Sequence, residues 1–222
     1  MDPHKLNEMD HGISDVLEAG RRFDKVFGKS YSSGVIGELL VTKRIIEKYK
    51  QELTSSNRCN IQFKGNCIQD FDIILDINGI KFKINAKATT ERDKKTGKPR
   101  WVRQHAKKYV NITYDKNNKT ICSPMMDYNK ALFYVFVDVK KWLEESKTDF
   151  YVLSDLDAKK TFGKKYSKDY HGKYKRKNGS DDMWIEYKDL KQYQDNNLKR
   201  FKKEIFNTTH PPHAPYRAPP DP

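Results

Sequence analysis

The stretch Phe71–Thr90, FDIILDINGIKFKINAKATT, decides the fold. Two runs rich in β-branched and aromatic residues flank Asn78-Gly79, a dipeptide that favours the type I′ turn of a two-residue hairpin. With Asn78 and Gly79 as the loop, Ile77 pairs with Ile80, Leu75 with Phe82, Ile73 with Ile84 and Phe71 with Ala86, all on one apolar face. The other face carries Asp76–Lys81, Ile74–Lys83, Asp72–Asn85 and Asp70–Lys87. Directly opposed residues stand about 5 Å apart at Cβ. Asp72, Asn85 and Lys87 are therefore expected to converge on one polar patch. A slip by one residue would expose Ile73 and Leu75, so Asp70 is a poor substitute for Asp72.

Upstream of the hairpin, SYSSGVIGELLVTKRIIEKYKQEL (30–53) repeats Val35, Ile36, Leu39, Leu40, Ile45, Ile46 and Tyr49 at helical spacing. Glu38 lies near the edge of that apolar face. An earlier amphipathic helix is expected in SDVLEAGRRFDKVF, capped at Ser14. Downstream, KALFYVFVDVKKWL (130–143) is a nearly continuous apolar run, the signature of a strand buried on both faces. TDFYVLSDLDAKKTF reads as a strand and then a helix capped at Ser154 or Asp155. DMWIEYKDLKQYQDNNLKRF reads as a short strand and a polar helix beginning near Asp189. This order predicts an α/β fold, a mixed central β-sheet flanked by helices. Residues 1–206 are expected to form one domain, and the Pro-rich 207–222 a flexible tail.

The 222 residues carry 44 Lys and Arg against 30 Asp and Glu, a formal charge of +14. Such an excess calls for a polyanionic partner, with nucleic acid ahead of an anionic membrane surface. There is no run of about 18 apolar residues and no signal-peptide core, so a soluble, cytoplasmic protein with no membrane partner is expected. Cys59, Cys67 and Cys122 lack the Cys-x2-Cys spacing of a zinc knuckle and read as reduced thiols.

Two basic segments are the expected DNA contacts, drawn as loops over about 91–109 and 159–179. The first supplies Lys94, Lys95, Lys98, Arg100 and Arg103. The second supplies Lys164, Lys165, Lys168, Lys173, Lys175, Arg176 and Lys177, interleaved with Tyr166, Tyr170 and Tyr174. Lys and Arg neutralise phosphates, and Arg also reads guanine edges. For any one lysine the plainer alternative is a solvated surface charge. His105 and His171 lie in these segments and read as exposed or DNA-contacting rather than as general bases. Trp101, Trp142 and Trp184 read as packing residues.

Hydrolysis of a phosphodiester needs charge neutralised at the phosphate, an activated water and a stabilised leaving oxygen. A Mg²⁺ ion on carboxylates with a neighbouring lysine supplies these. The hairpin, preceded by the helix GVIGELLVTKRIIEKY, resembles the PD-(D/E)xK nuclease superfamily over about Ser32–Thr90. Most type II restriction endonucleases share that core. The resemblance matches Asp72 to the first acid, Lys87 to the lysine and Glu38 to the auxiliary helix acid. It implies metal ligation by Asp72, the Asn85 side chain, the Ala86 carbonyl and Glu38, directly or through water. It also implies a type II site-specific deoxyribonuclease of prokaryotic origin, cutting double-stranded DNA as a homodimer beside a cognate DNA methyltransferase. A structure-specific or repair nuclease of the same fold is the alternative.

Asn85 departs from the pattern, which has an acid there, and three accounts stand. The amide oxygen ligates the metal while Glu38 supplies charge; the site binds DNA without cutting; or an Asp was replaced by Asn to silence cleavage. The plainest reading of the hairpin is a surface ribbon with cross-strand ion pairs, each worth under about 1 kcal/mol.

Overall fold

The computed structural model describes residues 1–27, 33–55, 59–63, 71–173 and 182–206, with the side chains of 27, 102–105, 182 and 206 left aside. Cys67, Asp70, Tyr174, Lys175, Arg176, Lys177 and the tail lie outside the described residues.

Asn78 and Gly79 both have positive φ, 53° and 85°, as a type I′ turn demands. The Asp76 carboxylate accepts the Gly79 N–H at 3.0 Å and secures the turn. The turn joins β2 (Ile73–Ile77) to β3 (Ile80–Thr89) in the expected register, from Ile77↔Ile80 to Ile73↔Ile84. β1 (Cys59–Phe63) pairs antiparallel with β2. On the far side β3 runs parallel to β7 (Leu132–Asp138), which pairs antiparallel with β8 (Phe150–Ser154). The result is a five-stranded mixed sheet of order β1-β2-β3-β7-β8.

β7 is buried on both faces, as its unbroken apolar run requires. Phe133, Val135 and Val137 face one core with α1 (Pro3–Phe27) and α2 (Ser33–Ser55). Tyr134 and Phe136 face a second core, filled by Phe162 and Tyr166 of α4 (Asp155–Tyr170) and by Trp101, Met183 and Ile185. Ile73, Ile84, Phe133 and Val135 are fully buried, each contributing roughly 1.5–3 kcal/mol. Helices thus flank the mixed sheet as the sequence predicts. Among the described residues no helix is long and apolar enough to cross a membrane.

Between β3 and β7 the chain forms β4 (Arg100–His105), then the hairpin β5 (Val110–Tyr114) and β6 (Thr120–Pro124). β4 pairs with β9 (Asp182–Glu186) as a separate two-stranded ribbon. Three further helices are short: α3 (Val139–Glu145), α5 (Tyr187–Leu190) and α6 (Lys199–Phe201).

Three local expectations need correction. Ser14 does not cap a helix; α1 starts at Pro3, and Ser14 Oγ donates back to the Asp10 carbonyl at 2.7 Å in its middle. Part of the first basic segment is a strand, since Trp101 has a buried slot to fill against Phe136 and Tyr151. The second segment is helical through Tyr170, because Ser154 caps α4 and the helix buries Phe162 and Tyr166.

Candidate functional site

The ladder between β2 and β3 ends at Ile73↔Ile84, before the expected pairs Asp72–Asn85 and Phe71–Ala86. Asp72 forms a bend, and its N–H donates to the Ile84 carbonyl at 2.9 Å. Its carboxylate then replaces the missing rung: Oδ2 accepts the Ala86 N–H at 2.7 Å. Asn85 therefore lies between the two residues whose backbones hold Asp72. Lys87 Nζ stands 4.0 Å from the same Oδ2, and the two side chains are 27% and 24% exposed. The expected cross-strand pairs Phe71–Ala86 and Asp72–Asn85 do not form as ladder rungs. Asp70, the expected partner of Lys87, lies outside the described residues, and Asp72 takes the lysine.

Glu38 arrives from the other side of β3. Gly37, in the second turn of α2, sits so close to the strand that a Cβ there would fall 2.5 Å from Ala88 Cβ. Only glycine permits that approach, and the approach brings Glu38 into the field of Asp72 and Lys87. Burial first, and then the Asp72 charge, raise the Glu38 carboxyl from 4.5 to about 7, with Lys87 pulling the other way. A half-buried carboxyl whose proton affinity is raised beside a second carboxylate and a lysine is a place where a cation would relieve the crowding of negative charge. Asn85 is 2% exposed, alongside Tyr134 of β7.

Among the described residues no group of three or more His, Cys, Asp or Glu could hold a metal. The side chains of Asp72 and Glu38 offer carboxylate oxygens, and the buried Asn85 Oδ1 accepts no hydrogen bond among the described residues. That chemistry fits a hard divalent cation such as Mg²⁺, with one negative charge fewer than three acids would give.

Beyond Lys87, Thr89 fastens the first basic segment to the end of β3. Thr89 Oγ1 donates to the Arg100 carbonyl at 2.8 Å and accepts the Glu91 N–H at 3.0 Å. Asp93 accepts the N–H groups of Lys95 and Thr96 at 3.1 and 2.8 Å, folding a turn that presents Lys94 and Lys95 to solvent. Lys98 Nζ lies 5.4 Å from the Tyr187 ring centre, and the Arg100 guanidinium 4.0 Å from that of Trp184. Arg103 lies on β4, and its side chain is outside the described set.

The second segment delivers less than expected. Lys164 and Lys173 are exposed, as is Lys168. Lys165 is bound to Asp189 at 3.0 Å and is only 18% exposed. Tyr166 is 4% exposed in the second core and stacks on Tyr170 at 4.5 Å, so it is a packing residue and not a DNA contact. His171 accepts the Cys122 N–H at 3.1 Å, tying α4 to β6. Trp101 and Trp142 are buried as expected.

The sequence reading overlooked Arg92. It lies in the basic stretch, yet it turns inward to bind Asp138 at 2.7 Å. Asp138 also caps α3 by accepting the Lys141 N–H at 3.0 Å. The available signal was Asp138 itself, a carboxylate ending an otherwise apolar strand.

No protein-family model matches the chain, and no curated protein is significantly similar to it. Among solved structures it is similar to a bacterial homing endonuclease at 19% identity, over 60% of this chain and 74% of that one, with a TM-score of 0.33. A likeness that slight decides neither fold nor function.

Proposed function

We propose that the chain is a Mg²⁺-dependent endonuclease cleaving double-stranded DNA at a short specific sequence, in the manner of a type II restriction enzyme. The observation that carries this reading is the grouping of Asp72, Lys87 and Glu38, with Glu38 raised to about 7 by burial and by Asp72. Asp72, Glu38, the Asn85 side-chain oxygen and the Ala86 carbonyl would hold the ion. When bound, the ion neutralises phosphate charge and favours deprotonation of water.

The chain's own residues divide the remaining work. The Ala86 N–H and Lys87 fix Asp72 in one orientation. Lys87 orients the attacking water and offsets negative charge as it develops on the phosphate. Lys94, Lys95, Lys98 and the exposed lysines of the second segment supply contacts to the DNA backbone. Cutting both strands calls for two copies, and a cognate DNA methyltransferase would protect the host sequence.

Asn85 favours a second reading, a protein that binds DNA at this site without cutting it. Digestion of a plasmid with Mg²⁺, by the chain and by Asn85→Asp, separates the two. Discrete fragments from either protein support the endonuclease, with Asn85→Asp the faster. Binding without cleavage by both supports the silent site. Cutting confined to branched DNA would instead indicate a structure-specific nuclease.

A further inference from the structure

α1, α2, α3 and the loop that follows α3 enclose a cavity of about 530 Å³. That is within the range of small-molecule sites, about 300–1,000 Å³. None of the residues lining it belongs to the Asp72, Lys87 and Glu38 group. Leu17, Leu40, Trp142 and Phe150 give it an apolar part. The rest is charged, with five cations, Arg21, Lys43, Arg44, Lys141 and Lys147, against Glu18, Glu47 and Asp149.

Most of these charges are already matched. Lys43 reaches Asp10 at 3.1 Å, Arg44 reaches Glu47 at 3.2 Å, and Lys141 reaches Asp149 at 2.7 Å. Glu18 pairs with Arg22 at 3.1 Å. With Asp10 and Arg22 included, six cations face four acids, an excess of two positive charges. Arg21 and Lys147 belong to no ion pair among the described residues. Lys147 is exposed, whereas Arg21 is half-buried, its guanidinium 4.4 Å from the Trp142 ring centre. Its Nη2 donates to the Trp142 carbonyl at 3.3 Å, and its Nε has no acceptor. Arg44 stacks in the same way, 5.5 Å from the Phe150 ring centre, and also leaves Nε without an acceptor. A cation drawn out of water without an acid beside it is costly, and a bound anion removes that cost.

We propose that this cavity binds a small phosphate monoester of mononucleotide size, with Arg21 and Lys147 taking the phosphate. A phosphate monoester carries a charge of about −1.5 to −2 at pH 7, which matches the excess; one carboxylate would offset only half of it. The planar guanidinium fork fits phosphate oxygens, and stacking on Trp142 fixes its plane in advance. Ser146 and Thr148, on either side of Lys147, add hydroxyl donors to the same wall. The volume exceeds what inorganic phosphate needs, and the apolar part suits the organic remainder of the ligand. The cavity is too small to admit a duplex, so the site is distinct from the proposed DNA contacts.

Titration calorimetry of the full chain with AMP, without DNA or Mg²⁺, tests this independently of the nuclease reading. AMP should bind at one site per chain, and adenosine at least about 10-fold more weakly. Arg21→Ala should weaken AMP by about 10–100-fold. Lys147→Glu, on an exposed loop residue, should weaken it about 2–10-fold with the Tm unchanged. Lys94→Ala/Lys95→Ala should bind AMP as the parent does, because neither lysine lines the cavity. No binding of AMP, adenosine binding as well as AMP, or an affinity unmoved by Arg21→Ala or by Lys147→Glu would overturn the proposal. A loss in Lys94→Ala/Lys95→Ala equal to that in Lys147→Glu would reduce the effect to general attraction by a cationic protein, and overturn it too. Displacement of AMP by duplex DNA would overturn the assignment to a small ligand.

Discussion

Lys87 Nζ stands 4.0 Å from Asp72 Oδ2, across the point where the β2–β3 ladder gives way to a side-chain rung. At that range the contact is electrostatic, and it leaves the ammonium room to engage a third group. Lys87→Ala should lower cleavage by at least about 100-fold while leaving DNA affinity within a few-fold. Rates from plasmid digests and affinities from anisotropy without Mg²⁺ separate the two. Equal loss of both would remove Lys87 from the chemistry.

Glu38 makes a pH prediction whose direction follows from its environment. The folded protein holds the Glu38 proton more tightly than the unfolded chain, about 7 against 4.5. Its favourable contribution is therefore complete below about pH 4.5 and is lost as pH rises through about 7. Glu38→Gln removes that loss. In metal-free buffer the variant should match the parent at low pH and exceed it above neutrality, by on the order of 1 kcal/mol after allowing for solvent screening. For a chain of this size that is about 2–4 °C in Tm. Melting curves that run parallel across this pH range would contradict the burial of Glu38 beside Asp72.

The Asn78-Gly79 turn made the β2–β3 register legible, because a type I′ loop leaves no freedom in pairing and a slip would expose Ile73 and Leu75. Lys87 and Asp72 could be placed together for that reason. The last rung could not: a carboxylate that accepts a main-chain N–H replaces a ladder bond without changing the alternation of side chains. Tyr166 was misjudged because its neighbours are lysines, although α4 turns it inward toward Phe162. Arg92 was missed for the same reason, since a basic run does not reveal which cation turns toward a buried carboxylate. The β5–β6 hairpin carries neither a two-residue turn dipeptide nor a strong apolar face.

Gly37 is the hinge of the arrangement on the helix side. Gly37→Ala would drive a methyl into Ala88 Cβ, a contact of 2.5 Å that real structures do not tolerate. The helix must shift, at a cost of about 1–3 kcal/mol, and Glu38 shifts with it. Activity should fall along with stability. Ala88→Gly removes the opposing methyl, so Gly37→Ala/Ala88→Gly should recover most of the lost activity. Failure of the pair to do better than Gly37→Ala alone would mean that close approach is not what Gly37 provides.

Arg92 and its neighbours Lys94 and Lys95 should part company experimentally, although all belong to one basic run. Asp138 is 3% exposed, and Arg92 is its ionic partner at 2.7 Å. Removing one member of a buried pair strands the other, at about 3–5 kcal/mol when burial is complete; Arg92, 20% exposed, lowers that figure. Arg92→Ala should therefore depress the Tm clearly. Lys94 and Lys95 sit on an exposed turn with no core to support. Lys94→Ala/Lys95→Ala should leave the Tm within about 1 °C and instead weaken DNA binding. If both lysines touch phosphates, the slope of log affinity against log salt should fall by about 1.8. A double variant with unchanged salt dependence would show that the turn points away from the bound DNA. An Arg92→Ala protein of full stability that binds DNA poorly would return that arginine to the DNA-contacting set.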